Sequence, residues 1–233
     1  MFPLKDDIPA KVFPLVNVCL IVANVVCFVY ALSQGAGAER LLLAYGFIPA
    51  RFGEHAASVF SVSRYVPIFS SMFLHGGLLH LVGNMWMLWI FGDNVEDAMG
   101  HGRYLAFYLL CGLASVMAQT WAAPASTIPM VGASGAISGV LGAYFLTYPR
   151  ARVLTLLPVF IFFYLVELPA FIFLGLWFLL QFLQGWSHLL AVDTVAQGGV
   201  AWWAHVGGFA AGVVLIRFFR RNCSGKRIHR LRL

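Results

Sequence analysis

Two runs rich in glycine decide how this chain folds. Residues 132–142 read Gly-Ala-Ser-Gly-Ala-Ile-Ser-Gly-Val-Leu-Gly, and residues 204–212 read Ala-His-Val-Gly-Gly-Phe-Ala-Ala-Gly. Small residues recur every four positions in both runs, at Gly135 and Gly139 and at Ala204, Gly208 and Gly212. Small residues at this interval form a helix face that another backbone can approach closely, as transmembrane helices commonly do. The two runs therefore predict two helices that pack against each other.

The composition around these runs indicates a membrane protein. Of the 233 residues, 61% are hydrophobic and 10% are charged, and the mean hydropathy is +0.84. A soluble domain carries about 25% charged residues. The net charge of +6 could suggest nucleic acid, but seven of the fifteen basic residues lie in the last seventeen positions, at the end of the last apolar run and beyond it. These seven are Arg217, Arg220, Arg221, Lys226, Arg227, Arg230 and Arg232. A basic block in this place is typical of a cytoplasmic anchor on anionic lipid, so no nucleic-acid partner is expected.

Six apolar segments approach the length of about 20 residues that a membrane span needs. They are residues 12–32, 74–91, 104–121, 134–148, 168–186 and 202–219. A seventh run, residues 153–166, contains Pro158 and is too short, so we predict an interfacial stretch that leads into the fifth helix. The expected fold is an all-α membrane protein, a bundle of six transmembrane helices. Its domain comprises residues 12–219, between an N-terminal segment of residues 1–11 and a basic tail of residues 220–233.

The loop charges predict the orientation of this bundle. Six spans place both termini on one side, which then holds twelve of the fifteen basic residues. The other side holds Arg40, Arg51 and Arg64. Cytoplasmic loops carry the excess of Lys and Arg, so both termini are predicted to be cytoplasmic. The lack of a transit peptide or an added soluble domain suggests a prokaryotic plasma membrane.

Four polar side chains inside the spans point to chemistry, because polar groups in a bilayer are costly. They are His80 and Asn84 in the second span, Ser134 in the fourth and His205 in the sixth. A helix rises about 1.5 Å per residue, so Ser134 lies about 24 Å above the cytoplasmic end of its helix, His80 about 20 Å and His205 about 18 Å. The three side chains are thus expected at similar depths in the membrane. If the glycine faces meet, Ser134 and His205 come within hydrogen-bond reach, as a serine nucleophile and its base require. The simpler interpretation is that Ser134 caps its helix and the glycines only pack.

The motifs together resemble the rhomboid family of intramembrane serine proteases. Gly132-Ala133-Ser134-Gly135 and His205-Val206-Gly207-Gly208 carry two parts of this resemblance. A third part is His75, His80 and Asn84, which stand in the family's H-x4-H-x3-N spacing, and a fourth runs from Gly92 to Arg103. The resemblance covers about residues 64–215. The chain differs from the family at two places. Some members have a tryptophan-arginine pair in the first outer loop, where this chain has Arg64-Tyr65. Some members have a tyrosine stacked on the histidine, where this chain has Ser138.

The resemblance implies a role for each matching residue. Ser134 and His205 would form a catalytic dyad, and His80 and Asn84 would form an oxyanion hole with the backbone N–H of Ser134. Gly132 and Gly135 would let the loop place the serine, and His75 would be a structural residue at the outer end of its helix. The substrates would be transmembrane helices of other proteins. No cofactor is expected. No metal site is expected either, since the cysteines lack metal-type spacing.

Two alternatives remain open from the sequence. One is an inactive relative that binds membrane clients, although that class usually lacks the serine or the histidine. The other is a transporter that uses His80, His205 and Glu167. Against it, Glu167 falls near the cytoplasmic boundary and no inverted repeat is visible. The acidic residues Asp93, Glu96 and Asp97 are predicted to form a solvated cytoplasmic turn.

Overall fold

The computed structural model describes residues 1–54, 62–190 and 200–221. Over these residues the chain is mostly helical. The helices are α1 (Leu15–Ser33), α2 (Ala38–Tyr45), α3 (Pro49–Glu54), α4 (Val62–Ser70), α5 (Leu78–Met99), α6 (His101–Ala122), α7 (Ser134–Thr147), α8 (Ala170–Leu190) and α9 (Trp202–Phe219). The last four basic residues, from Lys226 onward, lie outside the described part, so the predicted contact of the tail with anionic lipid stays a prediction.

Each predicted apolar segment coincides with a helix, namely α1, α5, α6, α7, α8 or α9. Among the described residues, α1, α6, α8 and α9 are each long and apolar enough to cross a membrane. The pair Val62–Phe73 and Leu78–Met99, bent by 80°, gives a fifth candidate span. Helix α7 is apolar but has only 14 residues. The chain is thus a membrane protein with four or five candidate spans, while six spans and cytoplasmic termini stay predictions.

Helix α7 lies at the centre of the bundle. All its residues from 135 to 144 are buried, and it contacts α5, α6, α8 and α9. The predicted pairing of the glycine faces is confirmed. A Cβ atom built on Gly208 would lie 2.0 Å from the carbonyl oxygen of Gly135, and one built on Gly212 would lie 2.0 Å from that of Gly139. Backbone touches backbone here, so α7 and α9 cannot approach in this way with any larger residue.

Replacing Gly208 with Ala is expected to destabilise the bundle. The added methyl group would have to push α9 away from α7, and overpacking of a fitted core typically costs about 1–3 kcal/mol. The matched control is Gly83→Ala on α5, where a built Cβ meets no atom within 4 Å. There the better helix propensity of Ala should make the change neutral or slightly stabilising. Thermal unfolding in detergent measures both variants, and equal midpoints would contradict the packing described here.

The all-α expectation is wrong in one place. Strands β1 (Phe2–Asp6), β2 (Arg152–Val159) and β3 (Phe162–Pro169) form an antiparallel sheet in the order β1-β2-β3. The run predicted to lie in the interface is therefore a hairpin, with Phe160 at its tip in a positive-φ conformation. Its Val, Phe and Tyr residues suit strands, but a short apolar run looks the same in a buried helix. The run forms strands partly because β2 pairs with β1 at the N-terminus. A local sequence pattern cannot reveal a partner so far away.

The predicted solvated turn of acidic residues is also wrong, because α5 continues through it to Met99. Glu96 is only 2% exposed and accepts hydrogen bonds from the backbone N–H groups of Val16 (2.9 Å) and Asn17 (2.7 Å). These N–H groups belong to the first turn of α1, which has no intrahelical partners for them. A carboxylate there satisfies the donors and also complements the helix dipole. Glu96 therefore fixes where α1 begins.

The N-terminal strand is held against the helices through Asp6. Its carboxylate accepts hydrogen bonds from the Tyr144 hydroxyl and from the Asn94 side chain (3.1 Å). Burial raises the pKa of Asp6 to about 6, with smaller contributions from nearby carboxylates. The indole N–H of Trp86 donates to the carbonyl oxygen of Pro3 at 2.6 Å. Residues before α1 are thus anchored on α5 and α7.

Candidate active site

The loop before α7 is shaped by Gly132. Its φ of +123° lies in a region that L side chains rarely adopt, so glycine suits this position. Its N–H donates to the carbonyl oxygen of Ser71 at 2.9 Å, and an isolated β-bridge joins Met130 to Phe47. A Cβ built on Gly132 would lie 2.7 Å from ring atoms of His80. The loop is therefore pressed against α5 and delivers the chain into α7 at Ser134.

Ser134 and His205 are brought together by the paired glycine faces. Ser134 is the first residue of α7, and His205 lies in the first turn of α9. Ser134 Oγ and His205 Nε2 are 2.9 Å apart. The N-cap position of α7 is Ala133, and no side chain caps the helix. The simpler interpretation of Ser134 as a capping residue is therefore not what the structure has, because its hydroxyl meets the imidazole.

The other ring nitrogen of His205 is also paired. Nδ1 lies 2.7 Å from Oε1 of Gln181 on α8, and the imidazole is only 8% exposed. The Trp177 ring lies beside the imidazole with 6.0 Å between centroids, and Trp202 meets it edge-on at 6.2 Å. Ser138 does not contact the ring, since its hydroxyl donates to the carbonyl oxygen of Ser134 at 2.6 Å. His205 is thus held by groups on α8 and α9.

The sequence did not single out Gln181. Its signal was present, because Gln181 is an amide in a helix that otherwise consists largely of Phe, Leu and Trp. An intramembrane polar residue calls for a partner within the bundle. Gln184 shares that signal yet is exposed. Only the relative rotation of α8 and α9, which the sequence does not specify, distinguishes the two glutamines.

Three further predicted residues lie on or beside α5. Asn84 is 7% exposed, and its Nδ2 is buried without a hydrogen-bond partner among the described residues. A Cβ on Gly132 would be 3.5 Å from this Nδ2. His80 is exposed, and buried His75 packs edge-to-face against it with 5.1 Å between centroids. The structure thus places His80 and Asn84 beside the loop of Ser134, with His75 packed against His80.

The remaining polar groups are arranged differently. A small cavity beside Ser134 is lined in part by Ser71, Ser115 and Gly132. Glu167, which a transporter would need near the histidines, lies in strand β3 and forms an exposed ion pair with Arg152 at 3.0 Å. Within the described ranges, no group of three or more His, Cys, Asp or Glu side chains is arranged to hold a metal ion. The polar side chains described around Ser134 carry hydroxyl, imidazole and amide groups.

Comparison with known proteins identifies the family. A family model described as the Rhomboid domain matches residues 62–222, more than half of the chain. The chain belongs to the rhomboid family. The matched residues run from α4 to the end of α9, and they include Ser134, His205, Gln181, His75, His80 and Asn84.

Curated rhomboid proteins give the same result. The chain is 28% identical to the mitochondrial Rhomboid protein 1 of Saccharomyces cerevisiae over 73% of this chain and 46% of that protein. It is 32% identical to the mitochondrial presenilin-associated rhomboid-like protein of Bos taurus over 61% of this chain and 36% of that protein. With the rhomboid protease GluP of Bacillus subtilis, identity is 37% over 40% of this chain and 18% of that protein.

The three relatives are all longer than this rhomboid chain. It spans less than half the length of each of the three relatives. Its apolar helices and its family make it an integral membrane protein. The prediction of a prokaryotic plasma membrane has no support from them, since two of the three are named as mitochondrial proteins and one is bacterial.

Proposed function

We propose that this rhomboid is an intramembrane serine endopeptidase that hydrolyses peptide bonds of transmembrane proteins. The observation that carries the proposal is the 2.9 Å separation of Ser134 Oγ and His205 Nε2. A nucleophile and a base within hydrogen-bond reach, with a third group on the other ring nitrogen, is the arrangement of serine hydrolases. The membership in a family that includes a named protease, GluP, agrees with it.

Ser134 is the proposed nucleophile of this reaction, and His205 is proposed to carry out its proton transfers. Ser134 Oγ attacks the carbonyl carbon of the scissile bond while His205 Nε2 takes the hydroxyl proton. The tetrahedral intermediate collapses as His205 gives that proton to the leaving amine, so an acyl ester on Ser134 and a free amine result. Water then attacks the ester, again losing a proton to His205. The second tetrahedral intermediate collapses as His205 returns this proton to Ser134 Oγ, which regenerates the serine and releases the new carboxyl terminus.

The negative charge that develops on the substrate oxygen needs donors. Ser134 is the first residue of α7, so its backbone N–H has no partner within the helix and lies at the positive end of the dipole. Asn84 supplies the unpaired Nδ2 donor beside Gly132, and the His80 ring lies next to it. Together these groups form the proposed oxyanion hole, where donors stabilise the charge without reorganising.

The substrate class follows from where the site lies. Ser134 and His205 are on apolar helices, so peptide bonds reach them from the membrane, and we propose that substrates are transmembrane helices opened near one end. We propose that the site lies towards the outer face, opposite the basic tail, as the distance of Ser134 and His205 from the cytoplasmic helix ends suggests. The membrane concerned and any anionic lipid on the tail stay predictions.

The test is cleavage in a defined membrane. Purified chain is reconstituted into liposomes with a panel of single-span substrates, beside the Ser134→Ala variant, and product termini are mapped by mass spectrometry. We expect cuts at or near the end of a span with the unmodified chain only. Substrate binding without any cleavage across the panel would favour the inactive client-binding alternative. Ion flux without cleavage would favour a transporter.

A further inference from the structure

We infer that Gln181 is a positioning residue that fixes the tautomer and the orientation of the His205 imidazole, so that the pair of Ser134 and His205 has a third, orienting member. The inference rests on the proposed function of Ser134 and His205. It starts from the 2.7 Å separation of His205 Nδ1 and Gln181 Oε1, on the side of the ring opposite Ser134.

Proton placement explains why this contact matters. For His205 to take the serine proton, Nε2 must carry the lone pair, and a neutral imidazole then carries its hydrogen on Nδ1. The group facing Nδ1 must accept that hydrogen, and the carbonyl oxygen of Gln181 does so. With no acceptor there, the ring also populates the tautomer with its hydrogen on Nε2, which cannot take a proton from Ser134.

Neighbouring contacts hold the amide in place. Trp177, Gln181 and Gly185 stand four residues apart on α8 and so share one helix face. Trp177 packs on the imidazole, and the Trp203 indole donates to the carbonyl oxygen of Gly185 at 3.2 Å. A Cβ on Gly185 would lie 3.3 Å from Trp202 and Trp203. This face of α8 is thus docked on α9 above and below Gln181, which keeps the amide aligned with the ring.

A neutral amide suits this position physically. Among the described residues, the groups that face His205 are Ser134 from α7, Trp177 and Gln181 from α8 and Trp202 from α9, and the ionisable His80 of α5 acts on the ring electrostatically. Trp177, Gln181 and Trp202 all stay uncharged at neutral pH. A carboxylate would stabilise the imidazolium more strongly, but burying it in an apolar helix is costly. An amide orients the ring without that cost.

Helix α8 buries few of its own residues. Its buried residues are only Ala170, Phe173, Leu174 and Gly185, so most of its surface faces outward. The same helix holds the partner of the catalytic base. The alignment of His205 therefore depends on α8 staying docked on α9, and any displacement of α8 removes the acceptor from Nδ1.

Three variants test the inference in liposome cleavage assays. Gln181→Met keeps the size and removes the acceptor, and we expect kcat to fall about 10- to 100-fold with KM unchanged. This is less than the about 10⁴-fold loss when the aspartate of a serine-protease triad becomes asparagine. Gln184→Met is the matched control on the exposed side of α8 and should keep the kcat of the unmodified chain. Equal kcat in both variants would overturn the inference.

A charge at the same place gives a readout that a purely structural role would not move. Gln181→Glu should retain activity, with the rising limb of its pH–rate profile displaced to higher pH. The reason is that a carboxylate stabilises the imidazolium, so the neutral base forms only at higher pH. If the introduced carboxyl group is itself protonated, it must ionise first. The limb then moves to higher pH in that case as well. An unshifted limb in an active Gln181→Glu variant would contradict the inference.

A spectroscopic readout separates this inference from the proposed function. In ¹⁵N-histidine NMR spectra, with His205 assigned by comparison with His205→Ala, we expect hydrogen on Nδ1 in the unmodified chain and a tautomer mixture in Gln181→Met. This measurement needs no cleavage, so it tests Gln181 even if no substrate is cut. Identical His205 signals in both proteins would refute the inference whatever the protease assay shows.

Discussion

Replacing Ser134 with Ala is expected to lower the single-turnover rate of substrate cleavage about 10⁶-fold, as loss of the nucleophile does in a soluble serine protease. His205→Ala should cost nearly as much, because the hydroxyl without its base at 2.9 Å is a weak nucleophile. The double variant should be no slower than either single variant, since the two residues act as a unit. Rates are measured in liposomes containing excess enzyme.

The control for this prediction is Ser138→Ala. Ser138 is on the same helix one turn later and also carries a hydroxyl, but it donates to the backbone oxygen of Ser134 rather than to the imidazole. It should therefore change the rate only a few-fold. A Ser134→Ala variant that cleaves at the rate of Ser138→Ala would show that the hydroxyl near His205 is not the nucleophile.

The second large effect is expected for Asn84→Ala. Its side-chain N–H group is buried and unpaired among the described residues, beside the loop that holds Ser134. A donor that pairs only with the transition-state oxygen lowers kcat when it is removed, typically about 10²–10³-fold, and leaves KM nearly unchanged. Steady-state kinetics over a range of substrate concentration in the membrane separates the two constants.

Asn24→Ala is the matched control for Asn84. Asn24 is fully buried on α1, and its amide donates to the backbone oxygen of Leu20 at 2.8 Å. Its loss should lower thermal stability without a specific effect on kcat. If Asn84→Ala instead raises KM at constant kcat, the residue contributes to substrate binding and not to the oxyanion hole.

The sequence was sufficient for features that depend on local pattern. Hydrophobic length located the six longest helices but not α2, α3 and α4, and the spacing of Gly208 and Gly212 correctly predicted the face on which α9 meets α7. That face brings Ser134 and His205 together, because backbone contact leaves a small range of helix rotations. The main geometry of the site was therefore predictable from two short motifs.

Features that depend on distant pairing were not predictable in this way. The strands β2 and β3 were not predicted, because their partner β1 is about 150 residues away in the sequence. Glu96 looked solvated because nothing local shows that α1 would place its N-terminus on that carboxylate. Gln181 was missed for the same reason, since its role depends on how α8 is rotated against α9.

The most direct measurement is covalent labelling of the intact protein in membranes with a fluorophosphonate, followed by peptide mass spectrometry. Activation of one hydroxyl by His205 predicts a single phosphonylated residue, Ser134, in the unmodified chain, with labelling abolished in His205→Ala and preserved in Ser138→Ala. Folded protein that never reacts, or a label on Ser134 that forms equally fast without His205, would contradict the proposed enzyme.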